Sequence, residues 1–153
     1  MTDWTVTVSR DIAADPMAVW HAISDITRMG EWSPECQSCT WLDGADGPEI
    51  GAVFLGQNRN GELEWKTKGR VTSATPGETF HFDAFVGDFV FAKWGYDLEP
   101  IEGGTRVTER TIDLRPDEIK ARSLEISGIE DRDARNRETM EATLERIAAA
   151  LET

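Results

Sequence analysis

The sequence predicts an α+β fold: a curled antiparallel sheet of about seven strands gripping one long C-terminal helix, with two short helices after the first strand. Three observations predict it. Asn60-Gly61 and Pro76-Gly77 each sit between alternating runs, and the two turns agree on which face of the sheet is apolar. Met140, Leu144, Ile147 and Leu151 recur at helical spacing near the C-terminus, with Glu138, Glu141 and Glu145 on the other side. That helix is the only element long enough to cover the meander's apolar face, and a twisted sheet closed by one helix leaves space beneath it.

The elements follow in order. Trp4 to Ile12 alternates Trp4, Val6, Val8 and Arg10 against Thr5, Thr7, Ser9 and Asp11, which reads as a strand. Asp15-Pro16 starts a helix, with Asp as N-cap and Pro at the first helical position. Val19, Trp20 and Ile23 form its apolar stripe and His21 points away. A break is expected near Gly30, with a second small helical turn around Asp25 to Met29. Ser38 to Leu42 is a candidate strand, followed by a loop from Asp43 to Gly51.

A turn at Asn60-Gly61 pairs Arg59 with Glu62, Asn58 with Leu63, Gly56 with Trp65 and Phe54 with Thr67. Phe54, Gly56, Asn58, Leu63, Trp65, Thr67, Gly69 and Val71 then share the inward face, while Glu62, Glu64, Lys66, Lys68, Arg70 and Thr72 belong in water. An inward face that mixes aromatic, amide, hydroxyl and glycine suits a cavity lining better than a solid core. Pro76-Gly77 pairs Ser73 with Phe80 and Val71 with Phe82, which turns His81 and Asp83 outward. Around Val86 to Asp88, a three-residue turn puts Val90, Ala92, Trp94, Tyr96 and Leu98 inward, whereas a two-residue turn puts Phe89 and Phe91 there. The first is preferred because Lys93, Asp97 and Glu99 then reach water. Turning at Glu102-Gly103 or Gly103-Gly104 gives one parity: Val107, Glu109 and Thr111 join the face of Tyr96 and Leu98. Arg115 to Arg132 is polar, with a short helix after Pro116 ending near Gly128.

At 153 residues the chain is expected to be one domain, 1–153. The net charge of −13 argues against nucleic acid and anionic lipid surfaces as partners. No 18-residue apolar run and no basic-apolar leader is present, so membrane insertion is not expected and a cytoplasmic location is. Cys36 and Cys39 form a lone C-x-x-C; with His21 and His81 the only histidines, a zinc site lacks ligands and the spacing reads as chance. No metal and no cofactor is expected.

The residues then carry a resemblance. Ile12 with Pro16, Val19 and Trp20, then Asp25, then Glu31-Trp32-Ser33-Pro34-Glu35 begin it. Gly51 with Phe54, Asn58-Arg59, Trp65, Pro76-Gly77, Phe80 and Phe82 continue it. Trp94-x-Tyr96-x-Leu98, Gly103-Gly104-Thr105-Arg106-Val107-Thr108-Glu109 and Thr143-Leu144 complete it. The chain resembles the SRPBCC (START and birch-pollen-allergen-like, helix-grip) superfamily, in its polyketide cyclase/dehydrase-type branch. The resemblance covers essentially the whole chain and implies a helix-grip fold with an internal cavity. It specifies activity poorly, since the superfamily hosts carriers, receptors, cyclases and co-chaperones. The C-x-x-C lies outside the pattern.

Glu109 is the sharpest candidate for chemistry. Inward parity places it near Tyr96 or one pair along, and burial raises a carboxyl pKa. With Tyr96 it suits general acid and base catalysis of enolisation, aldol-type closure or dehydration. Asn58 suits orienting a ligand carbonyl or stabilising an enolate. The bland alternatives are that Glu109 accepts bonds from protein donors and that Asn58 is a structural amide. Trp65, Trp94, Phe54 and Phe82 offer aromatic walls, Thr67 and Thr111 hydroxyls, and Met140 an apolar cover from the helix. The resemblance implies that Trp32-Ser33-Pro34 forms a loop at the cavity entrance, which suits Trp32 to cap the pocket; its bland alternative is packing under the first helices. The first reading is binding or carriage of a hydrophobic small molecule, polyketide-, lipid- or isoprenoid-like. The second is a polyketide cyclase/dehydratase-type enzyme using Glu109, Tyr96 and Asn58, and the third a co-chaperone-like interaction module. Monomer and homodimer both remain open.

Overall fold

The computed structural model describes residues 4–152. The chain runs β1 (Val6–Ile12), α1 (Pro16–Ser24), a 3-10 turn (Ile26–Arg28), α2 (Met29–Trp32), β2 (Cys36–Trp41), β3 (Val53–Asn60), β4 (Leu63–Ser73), β5 (Thr79–Val86), β6 (Phe89–Ile101), β7 (Gly104–Asp113), α3 (Asp117–Ser127) and α4 (Arg132–Leu151). All seven strands form one antiparallel sheet in the order β1-β7-β6-β5-β4-β3-β2. Sequential hairpins account for the neighbours from β2 to β7, and β1 closes on β7.

Caps fix the helix ends. Asp15 accepts the Met17 N–H at 2.9 Å at the start of α1, with Pro16 at the first helical position. Asp131 accepts the Ala134 N–H at 3.0 Å and begins α4, while Gly128 closes α3 with φ 71°. Met140, Leu144, Ile147 and Ala148 form the buried stripe of α4. They join Ile12, Val19, Ile23, Ile26, Val71, Phe80 and Val107 in the core. Burial of each large aliphatic or aromatic side chain contributes about 1.5–3 kcal/mol. Among the described residues, no helix is long and apolar enough to cross a membrane.

The convex face is ionic. Arg106 meets Asp11 at 2.8 Å, Lys93 meets Asp83 at 3.1 Å, and Arg110 pairs with Asp97. This confirms the outward parity of these residues. His81 also lies on this side, but it is half-buried and bonds Asp97 at 2.9 Å rather than standing free.

Several expected local details differ. The first hairpin turns at Gly61-Glu62, not Asn60-Gly61, so Asn60 pairs with Leu63, Asn58 with Trp65, Gly56 with Thr67 and Phe54 with Gly69. Gly61 supplies the positive φ of 62°, and Asn60 spends its amide on the Ser127 carbonyl at 2.7 Å. Leu63 keeps its inward parity with Trp65 and Thr67 but, at the end of the sheet, is 40% exposed and lies against Gly128. Ser73 faces His81, not Phe80, because the register slips after Val71, although Val71 does face Phe82. The β5–β6 turn has two residues, with Val86 opposite Phe89, and a slip between Ala84 and Phe85 changes parity along the strand. Phe89 and Phe91 therefore line the concave side near the tip, and Ala92, Trp94 and Tyr96 line it lower down, with Val90 displaced from the lining.

Gly30 does not break the helical region; it lies within α2. A Cβ there would stand 2.2 Å from the Gln37 carbonyl oxygen, so α2 packs backbone to backbone against β2. Because the obstacle is main chain, relief requires moving a strand. Gly30→Ala is expected to lower stability by about 2 kcal/mol despite alanine's better helix propensity, read as a shift in urea midpoint. An unchanged midpoint would contradict this packing.

Candidate functional site

A cavity of about 590 Å³ lies between the concave sheet face and helices α3 and α4. Its walls come from β2 through β7, and exposed Val86, Phe89 and Ile126 line its outer part. Most of the lining is apolar, with a few polar groups among it.

Glu109 on β7 stands directly opposite Tyr96 on β6. Both are 3% exposed and both line the cavity. Oε1 of Glu109 is buried and, among the described residues, has no hydrogen-bond partner. Burial pushes the Glu109 pKa up to about 8, with the neighbouring Tyr96 hydroxyl pulling weakly the other way. Burial, followed by the charge of Glu109, holds the Tyr96 phenol well above its ordinary value. At neutral pH the pair is therefore a carboxylic acid beside a phenol: two proton donors in an apolar wall.

Asn58 lies on the same wall, opposite Trp65 and Cys36. Its amide donates to the Thr67 hydroxyl at 3.1 Å, so part of its capacity serves the sheet. Thr111 lines the cavity, but its hydroxyl donates to the Lys93 carbonyl at 2.9 Å, the bond of a structural threonine. The aromatics form a connected row. Trp94 stacks on Phe82 at 6.4 Å, Phe82 meets Phe54 edge-on at 5.1 Å, and Phe54 meets Trp41 at 5.8 Å. Trp65 is half-buried in the lining, and Met140 covers the cavity from α4.

Trp32 is a correction. It is 3% exposed and lies outside the lining, with its indole N–H on the Ala22 carbonyl at 3.1 Å and the Arg28 guanidinium 4.7 Å over its ring. It packs under the first helices instead of capping an entrance.

Some lining residues escaped the sequence reading. Buried Asn136 and Thr143 lie on the inward side of α4 and line the cavity. Polar residues interrupting the Met140, Leu144, Ile147 stripe were the available signal. An ion pair between Glu35 and Arg132 at 2.9 Å ties the segment before β2 to α4. Cys36 and Cys39 both line the cavity, with sulfurs 3.3 Å apart. Among the described residues, no cluster of three or more His, Cys, Asp or Glu side chains is arranged to hold a metal ion.

Residues 3–152 match the profile of a family described as polyketide cyclase / dehydrase and lipid transport. The chain belongs to this family. A Polyketide_cyc-like protein from Corynebacterium glutamicum, solved by NMR, is 35% identical, with 99% of this chain and 94% of that one covered and a TM-score of 0.63. Protein CV1439 from Chromobacterium violaceum shares the fold at a TM-score of 0.74 and 18% identity, with 99% of each chain covered. The di-domain ARO/CYC StfQ from the steffimycin biosynthetic pathway is similar at a TM-score of 0.72 and 11% identity. That match covers 96% of this chain and 50% of StfQ. No curated protein matches the sequence.

The raised Glu109 pKa has a sign consequence. Native protein holds this proton more tightly than the unfolded chain, so the group's stabilising effect is complete below about pH 4.5 and is lost as pH rises to about 8. Glu109→Gln removes that loss. Relative to the wild type, the variant is expected to gain up to about 4 kcal/mol between pH 5 and pH 9, measured by urea unfolding. A difference independent of pH would place an ionised, solvated carboxylate at this position.

Proposed function

We propose that the protein binds a hydrophobic small molecule, polyketide-, lipid- or isoprenoid-like, in the cavity beneath α4. One observation carries the reading: a mostly apolar cavity of about 590 Å³ contains, in its wall, a buried carboxyl with an unpartnered oxygen. Apolar walls supply affinity by burial, and a ligand hydroxyl or carbonyl would satisfy the Glu109 carboxyl. The row of Trp94, Phe82 and Phe54 suits a flat or ring-bearing ligand. Family membership supports the same class of ligand. The net charge of −13 supports a partner set without nucleic acid.

A second reading rests on the Glu109–Tyr96 pair. With a pKa of about 8, Glu109 exchanges its proton near neutrality. As a carboxylate it takes a proton from a carbon next to a ligand carbonyl, while Tyr96 donates a hydrogen bond to the enolate oxygen. The enolate carbon bonds to a second ligand carbonyl carbon, and the alkoxide formed there takes the Glu109 proton; Glu109 then takes the second proton from the same α-carbon and gives it to that hydroxyl, which leaves as water. Ring closure followed by dehydration, a cyclase/dehydratase-type sequence, needs no more than this. The open cavity weighs against a co-chaperone-like module, which needs a filled interior.

Native mass spectrometry of the purified protein, with solvent extraction, tests the first reading. A co-purifying hydrophobic molecule is expected, and Ala92→Trp, which fills the lining, is expected to lose it while keeping its circular dichroism spectrum. Recovery of nothing from several expression hosts would contradict the reading. For the second reading, Glu109→Gln should keep ligand affinity within about threefold yet abolish turnover of that ligand. Wild-type turnover in the variant would end the catalytic role.

A further inference from the structure

Cys36 and Cys39 are three residues apart on β2. In an unbroken strand such residues project from opposite faces, with backbones about 10 Å apart. Here the pairing with β3 slips: Cys36 faces Asn58, Ser38 faces Gln57 and Cys39 faces Gly56. Gln37 is the extra residue, and the bulge resets parity so that both thiols reach the cavity wall. Their sulfurs stand 3.3 Å apart and both cysteines are free.

The bulge is held from three sides. The Ser33 hydroxyl accepts the Cys36 N–H at 2.9 Å. The Gln37 side chain donates to the Glu35 carbonyl at 3.1 Å. The Gln37 carbonyl sits against Gly30, where no Cβ would fit. The two thiols are also unequal. Cys36 is partly exposed and Cys39 is 6% exposed. The hydrogen bond they share lowers the Cys36 thiol below its ordinary value and raises that of Cys39.

We propose that Cys36 and Cys39 form a thiol–disulfide redox site in the cavity wall, oxidised by a small hydroperoxide, with Cys36 as nucleophile and Cys39 as the resolving thiol. The Cys36 thiolate attacks one peroxide oxygen. The O–O bond breaks, and the leaving oxygen takes the thiol proton and departs as water, or as an alcohol from an organic hydroperoxide. Cys36 is then a sulfenic acid. The Cys39 sulfur attacks the Cys36 sulfur, the S–S bond forms, the S–O bond breaks, and hydroxide leaves with the Cys39 proton as a second water. Two electrons pass from the dithiol to the peroxide. The sulfurs must close from 3.3 Å to a bond of about 2.0 Å, a side-chain movement. A small dithiol reverses the reaction by exchange. The site needs no ligand in the cavity, so it stands apart from the binding reading above.

The test treats the reduced full-length protein with hydrogen peroxide and follows intact mass, free thiols and peptide maps. Expected are a loss of the mass of two hydrogen atoms, disappearance of both free thiols and a Cys36–Cys39 crosslink within one chain, all reversed by dithiothreitol. In Cys39→Ser the reaction is expected to stop at a Cys36 sulfenic acid trapped by dimedone. In Cys36→Ser, labelling of Cys39 is expected to be at least about tenfold slower. Thiols that stay free under conditions oxidising a small dithiol control, or crosslinks formed only between molecules, would overturn the redox site. Equal dimedone labelling of Cys39 in Cys36→Ser would overturn the assignment of the nucleophile.

Discussion

A carboxyl group held between a sheet and a helix must find either a partner or a proton. Glu109 has a phenol beside it and one oxygen left without a bond, so it keeps the proton to about pH 8. The cavity wall is arranged around that group. The β6–β7 ladder sets it opposite Tyr96, the curled sheet brings Asn58 and the aromatic row onto the same wall, and α4 covers them with Met140, Asn136 and Thr143. A core of aliphatic side chains would have filled the same space at lower electrostatic cost. Under the binding reading proposed above, the carboxyl and the cavity form one feature, because a bound ligand would complete the hydrogen bonding of Glu109.

Bulges shape that wall. The register slips at three places, in β2 after Cys36, in β4 after Val71 and between Ala84 and Phe85 in β5. Bulges bend strands and strengthen local twist, which a long sheet needs if it is to curl over a helix. Each also re-aims side chains. The slip near the β5–β6 tip adds Phe89 and Phe91 to the lining without removing Trp94 or Tyr96, and the slip in β2 brings two thiols together.

Side-chain parity was legible in the sequence; residue partners were less so. Moving the first turn from Asn60-Gly61 to Gly61-Glu62 shifts each strand by one residue, and the two shifts cancel in parity. Phe54, Asn58, Trp65 and Thr67 thus stay inward although every partner changes. Glu109 was found for the same reason, since either turn near Gly103 leaves it facing Tyr96's side. Bulges have no comparable signature in composition, so the Cys36–Cys39 approach was invisible. Trp32 misled because a tryptophan near a loop suits a cap or a core equally, and only the Ala22 carbonyl bond decides. The role of Gly30 was hidden because a close backbone approach and a helix break call for the same residue.

The protonation of one side chain, Glu109, reports directly on whether the cavity wall around it is dry and apolar. A carbon-13 NMR titration of the labelled Glu109 carboxyl in the ligand-free protein measures it directly. The structure predicts a midpoint of about 8, with Glu109 protonated through the neutral range. A midpoint near the ordinary 4.5 would mean that water or a cation reaches the group, and the apolar cavity built around it would not exist as described.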